Sequence, residues 1–331
     1  MNALYALVAV VVLFLVAYVG TGGADLEFLF GVGVPYAAVA VFLVGFSYRI
    51  LKWSRSAVPF RITTTCGQAK SLPFIKNENL ESPHNLAGVI GRMALEVLCF
   101  RSLFRNTKAS LTDDQELVYG RDKWLWAAAL AFHWCFLIVL LRHCRFFAEE
   151  VPSFVLALQS IDGFFEIGVP ILYLTGVVLL ASVTYLFLRR AVIPQLRYIS
   201  LATDYFPLFL IMAMAVSGIL MRHLYKVDIV SIKELAMGLV AFQPNVPEGI
   251  GSIFFVHLFL VSVLFAYFPF SKLMHLGGVF MSPTRHLAND NRARRHVNPW
   301  NYKVNTHTYE EYEDEFRDVM REAELPLEKA E

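Results

Sequence analysis

The sequence has few charged residues and no excess of either sign. Charged residues make up 17% of the chain, and 29 Lys and Arg against 28 Asp and Glu give a formal net charge of +1. Nucleic-acid-binding domains usually carry a clustered basic surface with exposed aromatics. The sequence shows no such stripe, so we exclude nucleic acid as a partner.

Cysteine is also scarce. The cysteines are Cys66, Cys99, Cys135 and Cys144, and none belongs to a CxxC or CxxCH motif. Sites for cysteine-ligated zinc, iron–sulfur clusters and c-type haem within this chain alone are therefore not expected. Hydrophobic residues, in contrast, make up 56% of the chain, and the mean hydropathy is +0.51, which indicates a membrane protein.

Six stretches are apolar over the length of about 20 residues that a transmembrane helix needs. They lie at residues 2–20, 28–49, 124–145, 168–188, 205–223 and 250–273. The first lacks the basic start of a secretory signal, and its apolar run is longer than a signal's, so we expect a permanent span. The predicted fold is an all-α, polytopic membrane bundle of six transmembrane helices.

The distribution of basic residues orients the predicted spans. Lys and Arg concentrate after spans 2, 4 and 6 and before span 3: Arg49, Lys52, Arg55, Arg61, Arg121, Lys123, Arg189, Arg190, Arg197, Lys272, Arg285, Arg292, Arg294 and Arg295. The alternate loops are poorer, and residues 146–167 contain no Lys or Arg. By the positive-inside rule, we expect both termini in the cytoplasm.

This topology divides the chain into four parts. Residues 1–50 hold spans 1 and 2, residues 51–123 form a cytoplasmic loop, residues 124–273 hold spans 3–6, and residues 274–331 form a cytoplasmic tail. Within the loop, residues 87–105 predict an amphipathic helix that lies on the membrane surface or against a partner. In the tail, residues 309–324 are compatible with a short charged helix or with a solvated, disordered end.

The candidate ligands are histidines at membrane depth, where ionisable residues are costly and point to function. Span 3 carries His133 and His143, and span 6 carries His257 and His275. Because the two spans run in opposite directions, His143 and His257 fall in the outer half of the membrane, and His133 and His275 fall toward the cytoplasm. Two facing pairs of neutral imidazoles are what low-spin b-type haem requires. The pattern therefore predicts two haems b within a helical bundle.

The spacings test this pairing. The ten residues from His133 to His143 rise about 15 Å and the eighteen from His257 to His275 about 27 Å, so straight helices leave the inner pair roughly 12 Å out of level. Pro269 lies between the histidines of span 6, and a kink there would bring His275 back.

Other readings of the membrane residues stay open. His223 could replace an outer ligand, hydrogen-bond a quinone carbonyl or face interfacial water, and with Arg222 and Lys226 it forms a candidate quinone site. A haem-free membrane scaffold and a proton-coupled transporter are the alternatives from other classes. The absence of a central Asp or Glu in the predicted spans counts against a transporter.

These residues carry a family resemblance. The histidine spacings and spans 2–6 resemble the haem-b gamma subunit of respiratory nitrate reductase. Three further stretches, Thr63–Gln68, Gly88–Glu96 and Phe104–Asn106, resemble DsrM, the cytochrome b subunit family of the membrane complexes linked to dissimilatory sulfite reduction. The cytochrome b subunits of heterodisulfide reductase are a near alternative. The additional first span and the long inner loop argue against nitrate reductase itself.

The resemblance implies a subunit of an oxidoreductase complex of the prokaryotic inner membrane, one that does not itself perform the sulfur chemistry. It implies that His143 with His257 hold the outer haem and that His133 with His275 hold the inner one. It further implies menaquinone as the substrate, a cytoplasmic iron–sulfur partner of the heterodisulfide reductase type, and a periplasmic multihaem cytochrome c among further subunits. Cys66 would then lie near the partner's cluster or be a structural thiol, whereas Cys135 and Cys144 are expected to be small packing residues.

Overall fold

The computed structural model describes residues 1–56, 58, 67–111, 116–163, 171–292, 303 and 305–328. In chain order, its helices are α1 (Asn2–Gly23), α2 (Val34–Ser54), α3 (Leu86–Cys99), α4 (Arg101–Phe104), α5 (Lys123–His143), α6 (Ser153–Asp162), α7 (Leu174–Val192), α8 (Pro194–Ile199), α9 (Ala202–Leu220), α10 (Ile229–Val240), α11 (Ser252–Tyr267), α12 (His275–Gly278), α13 (Pro283–His286) and α14 (Tyr309–Glu322). Strands β1 (Thr107–Leu111) and β2 (Leu117–Arg121) pair antiparallel, with Thr107 opposite Arg121.

Short turns of other helical types extend the long helices. A π-helical turn at Leu29–Gly33 leads into α2, and another at Met221–Tyr225 continues α9. A 3₁₀ turn at Cys144–Phe146 continues α5, and two more, Phe268–Phe270 and Lys272–Met274, follow α11.

The long apolar helices confirm the predicted fold class. Within the described residues, six helices are long and apolar enough to cross a membrane, and they correspond to α1, α2, α5, α7, α9 and α11 with their terminal turns. The chain is thus a multi-pass α-helical membrane protein.

The arrangement of these helices leaves α5 on one side of the bundle. α5 packs on α7, α7 packs on α9, and α9 packs on α1 and α11, while α11 also contacts α1 and α2. The buried core lies among α1, the turn that leads into α2, α9, α10 and α11, and its apolar members are Val10, Ala17, Phe30, Val32, Leu210, Leu235, Phe255, Val256, Leu260 and Leu264.

Ion pairs join the start of α5 to the end of α7, and the start of α9 to the segment beyond α11. Asp122 caps α5 by accepting a hydrogen bond from the Leu125 amide at 3.3 Å, and its other carboxylate oxygen pairs with Arg189 near the end of α7. Asp204 in the first turn of α9 accepts from Lys272 Nζ at 2.5 Å, beyond the end of α11. Arg190, the neighbour of Arg189, lies 3.8 Å from Asp204, so both pairs lie at the same end of the bundle.

Three segments differ in detail from the sequence prediction. Of the span expected at residues 168–188, residues 168–170 lie outside the described residues, and α7 begins at Leu174, after Ile171 and Tyr173, whose contacts with neighbouring elements are described below. The predicted span 250–273 is α11 followed by two 3₁₀ turns. The amphipathic helix predicted at 87–105 is divided into α3 and α4 at Phe100, whose φ of 51° lies in the left-handed region.

Candidate functional site

The outer histidine pair joins the end of α5 to the first half of α11. The rings of His143 and His257 are nearly parallel, with 9° between their planes, and their centroids are 6.4 Å apart. His143 is the last residue of α5 and His257 lies in the second turn of α11, so the antiparallel course of these helices brings the two together.

The inner pair joins the middle of α5 to the segment beyond α11. The ring centroids of His133 and His275 are 5.8 Å apart, and the planes meet at 80°. His275 reaches this position because the chain leaves the α-helix after Tyr267 and passes through two 3₁₀ turns separated by the extended residue Ser271. The break at Pro269 thus accounts for the level difference that straight helices would leave.

Two glycines allow the broken segment to lie against α2. A Cβ atom on Gly45 would lie 2.7 Å from Cβ of Pro269, and a Cβ atom on Gly277 would lie 2.7 Å from Cδ1 of Ile50. Both distances are too short for any other residue without movement of the neighbour. The close packing of α2 therefore determines where His275 points.

Every histidine of the two pairs has its Nδ1 atom in a hydrogen bond. His133 Nδ1 donates to the Ala129 carbonyl oxygen at 2.7 Å, and His143 Nδ1 donates to the Val139 carbonyl oxygen at 2.7 Å. His275 Nδ1 donates to the Lys272 carbonyl oxygen at 2.9 Å. His257 Nδ1 donates to the Ser217 hydroxyl at 2.8 Å, and this hydroxyl in turn donates to the Met214 carbonyl at 3.0 Å. Such bonds leave Nε2 with its lone pair, as metal-ligating histidines require.

The separation of the ring centroids in each pair is the one expected of two imidazoles bound to the same metal. A nitrogen–metal distance of about 2 Å on each side places the two ring centroids roughly 6 Å apart. Within the described residues, no group of three or more His, Cys, Asp and Glu side chains is arranged to hold a metal ion. A pair of histidines therefore suits a metal group that brings its in-plane ligands with it, as haem does.

An ionic and aromatic cluster lies beside the outer pair. Arg142, next to His143, pairs with the buried carboxylate of Asp162, which also accepts from the Thr175 amide at 2.7 Å. Two guanidinium groups approach the Tyr173 ring, with their central carbons 3.4 Å (Arg142) and 4.3 Å (Arg222) from its centroid. Sequence reasoning missed this cluster, because its members come from four separate segments and no spacing connects them.

The candidate quinone residues lie at the outer end of α9. Arg222 turns toward Tyr173, and its Nε donates to the Ile171 carbonyl at 2.9 Å. His223 is half-buried in the same π-helical turn, and Lys226 is exposed with a φ of 43°. Arg222 thus connects these residues to the cluster beside the outer histidines.

The cysteines have different environments. Cys135 is buried and Cys144 is half-buried, as expected of packing residues, while Cys99 is exposed at the end of α3. Cys66, with the Thr63–Cys66 part of the loop motif, lies outside the described residues.

Comparisons with known proteins point to one family. Residues 90–296, which include the four paired histidines, match the model of the nitrate reductase gamma subunit family. A relative from Archaeoglobus fulgidus, described as an Hdr-like menaquinol oxidoreductase cytochrome b-like subunit, is 48% identical over 280 residues, covering 82% of this chain and 83% of its own. A relative from Archaeoglobus profundus with the same description is 40% identical over 274 residues, covering 81% of each chain.

Proposed function

Because the chain belongs to the nitrate reductase gamma subunit family, we propose that it is the membrane cytochrome b subunit of a menaquinol-oxidising complex. In this role it carries electrons between the menaquinone pool and a cytoplasmic iron–sulfur subunit of the heterodisulfide reductase type. The observation that carries the proposal is the presence of two histidine pairs at metal-binding separation, with all four Nδ1 atoms engaged.

Four residues bind the cofactors in this proposal. His143 and His257 hold an outer haem b, and His133 and His275 hold an inner one. When bound, the iron of each haem accepts and gives up single electrons. The protein would supply the ligating nitrogens, fix their orientation through the Nδ1 hydrogen bonds and surround them with helices.

Menaquinol is proposed to react at the outer end of α9, near Arg222, His223 and Lys226. Oxidation of a quinol to a quinone releases two electrons and two protons. Arg142 and Arg222, which both approach the Tyr173 ring beside His143, would favour loss of a proton from a quinol hydroxyl, since nearby positive charge stabilises the anion. The half-buried imidazole of His223 is the proposed hydrogen-bond partner of the quinol oxygen.

The biological setting is proposed on the same resemblance. The inner pair lies on the cytoplasmic side, where an iron–sulfur partner would dock, and a periplasmic multihaem cytochrome c would complete the complex. The respiration served would be that of sulfite or another sulfur compound. A heterodisulfide reductase complex or a nitrate reductase-type complex is the alternative within the same family.

Haem content after single histidine changes tests the ligand assignment. We expect two haems b per chain in a pyridine haemochrome assay, with His143→Gly or His257→Gly removing one spectral component and His133→Gly or His275→Gly the other. Imidazole added during growth should restore part of the lost component. His223→Gly is the control and should keep both haems. A purified complex in which this chain holds no haem would leave it as a scaffold, and loss of haem in the control would mean that the pairing is wrong.

Replacement of the outer residues tests the quinol site. Arg222→Gln, His223→Gln and Lys226→Gln together should slow haem reduction by a menaquinol analogue at least tenfold, because the charge and the hydrogen bond offered to the quinol are removed. Haem content and dithionite-reduced spectra should stay as in the parent protein. Unchanged quinol-driven reduction in stopped-flow measurements would place the quinol site elsewhere.

A further inference from the structure

The chain turns back on itself where α3 meets α4, against the inner half of α5. The Phe100 ring contacts the His133 ring edge-to-face, with centroids 4.9 Å apart. Only four residues later, the Phe104 ring lies 4.9 Å from the Trp126 ring and 5.7 Å from Lys123 Nζ. The turn thus approaches α5 near its middle and returns toward its cytoplasmic end.

The carbonyl groups at the end of α3 are satisfied by side chains of α5. Trp134 Nε1 donates to the Leu98 carbonyl at 3.0 Å, and Trp126 Nε1 donates to the Cys99 carbonyl at 2.8 Å. The Phe100 amide donates to the Leu95 carbonyl. The last carbonyls of a helix have no partner within the helix, and hydrocarbon offers no water to replace it. This turn has the partners that a helix end within a membrane needs.

The charged residues of α3 face the protein. Arg92 is 6% exposed and Glu96 is 9% exposed, and they are the charged residues of this helix. The Glu96 carboxylate accepts from the amide and hydroxyl of Ser102, at 3.2 and 2.5 Å, and from Arg285 at 2.9 Å. A helix on a water-covered surface has the opposite arrangement, with its charges outward.

The outward face of α3 is wholly apolar. Leu86, Ile90, Ala94 and Leu98 follow one another at four-residue spacing along it, and their side chains are exposed. The exposed fractions of the larger side chains are 74% for Leu86, 60% for Ile90 and 50% for Leu98. The end of this stripe, at Leu98, lies against Trp134 of α5, a helix on which Leu137 and Leu140 are also exposed.

The contacts with tryptophan give the depth of the turn. Trp126 and Trp134 lie 3 and 11 residues beyond Lys123, which corresponds to about 5 and 16 Å along α5. The hydrocarbon core is about 30 Å thick. With Lys123 at the cytoplasmic surface of the bilayer, the end of α3 lies within the inner leaflet.

We propose that residues 86–104 form a re-entrant helix and turn that enters the cytoplasmic leaflet, with Leu86, Ile90, Ala94 and Leu98 in contact with lipid acyl chains. Phe100 is its tip and covers His133 from the cytoplasmic side. The proposal does not depend on the proposed function, since it concerns only how the chain meets the bilayer. An amphipathic segment could face lipid or a partner protein, and the proposal assigns this one to lipid.

Spin-label accessibility tests the insertion. Single cysteines replace Ile90 and Leu98 in a full-length chain whose native cysteines are changed to serine or alanine, and the labelled protein is reconstituted in lipid nanodiscs without partner subunits. Leu140 on α5 and Tyr119 on β2, which are 52% and 67% exposed, provide the membrane and water references. Labels at Ile90 and Leu98 should collide with oxygen as often as the label at Leu140 and should be several-fold less accessible to aqueous nickel chelate than the label at Tyr119.

Other outcomes would overturn the proposal. Accessibility to the nickel chelate like that at Tyr119 would mean that α3 lies in water and is free for a partner. Protection from both reagents would mean that protein covers the stripe.

A second arm removes the indole donors. W126F and W134F together should raise the mobility of the Leu98 label and its collisions with nickel, whereas W124F, an exposed tryptophan of the same helix, should leave both unchanged. A Leu98 label that keeps its depth and mobility in the double variant would mean that these hydrogen bonds do not hold the turn in the membrane.

Discussion

The Nδ1 hydrogen bonds differ in where the acceptor comes from. For His133, His143 and His275 it is a backbone carbonyl three or four residues earlier, so the local helical turn fixes the ring. For His257 it is the Ser217 hydroxyl, on a different helix. This is the one of the four contacts that a side-chain substitution can remove directly.

We predict that Ser217→Ala raises the midpoint potential of the outer haem. An acceptor at Nδ1 makes the imidazole more basic and favours the oxidised metal. A hydrogen bond worth about 0.5 to 1.5 kcal/mol corresponds to roughly 20 to 60 mV for one electron. Redox titration followed by optical and EPR spectra measures the change, with the inner haem as internal reference.

Ser217→Thr is the matched control for this prediction, because it keeps the hydroxyl. Its outer-haem potential and EPR signals should stay close to those of the parent protein. Equal shifts in the alanine and threonine variants would mean that packing at this position, rather than the hydrogen bond, sets the potential.

Among the elements, the break after α11 has the clearest consequence. The Pro269 ring rests where a side chain on Gly45 would be, and the ring cannot bend away. Any side chain at Gly45 therefore has to push the segment 268–274 away from α2. The inner pair depends on this contact, whereas the outer pair does not.

We predict that Gly45→Ala weakens the inner site selectively. The added methyl group should displace Pro269 and, with it, His275, so the inner haem component should fall in amount or change its EPR signal while the outer component is retained. Gly176→Ala is the control, since a Cβ atom there has no neighbour within 4 Å. Equal loss of both components, or none, in reduced-minus-oxidised spectra would contradict the prediction.

At the scale of the whole molecule, the first span is part of the core. The resemblance assigns five spans to the family core and treats the first as an addition, yet α1 packs on both α9 and α11. Ala17 is completely buried there, while its neighbour Val16 is 51% exposed. The additional span is thus structural and does more than anchor the chain.

We predict that Ala17→Leu lowers the stability of the entire bundle by about 1 to 3 kcal/mol, the usual cost of overfilling a packed site. Val16→Leu, which places the same leucine side chain on the exposed side of α1, should be nearly neutral. Thermal unfolding followed by circular dichroism in detergent compares the two. Equal melting temperatures would mean that α1 adapts to the change.

Much of the fold was predictable, because membrane spans are read from local composition. The family and the six-helix class are confirmed, and the structure brings together the histidine pairs that helix direction had suggested. The close approach at Gly45 and the left-handed turn at Phe100 were not predictable, because each depends on a partner far along the chain. The same holds for Arg142, whose contacts with Asp162 and Tyr173 no local pattern reveals.

The depth difference between the two histidine pairs has an electrical consequence. The ten residues of α5 between His133 and His143 span about 15 Å, half of a hydrocarbon core about 30 Å thick. A full elementary charge crossing a membrane gains or loses about 2.3 kcal/mol per 100 mV, so a charge that moves between these two depths works against about half of the voltage. In the proposed direction of flow, from outside to inside, each electron would move toward the negative side and help to charge the membrane.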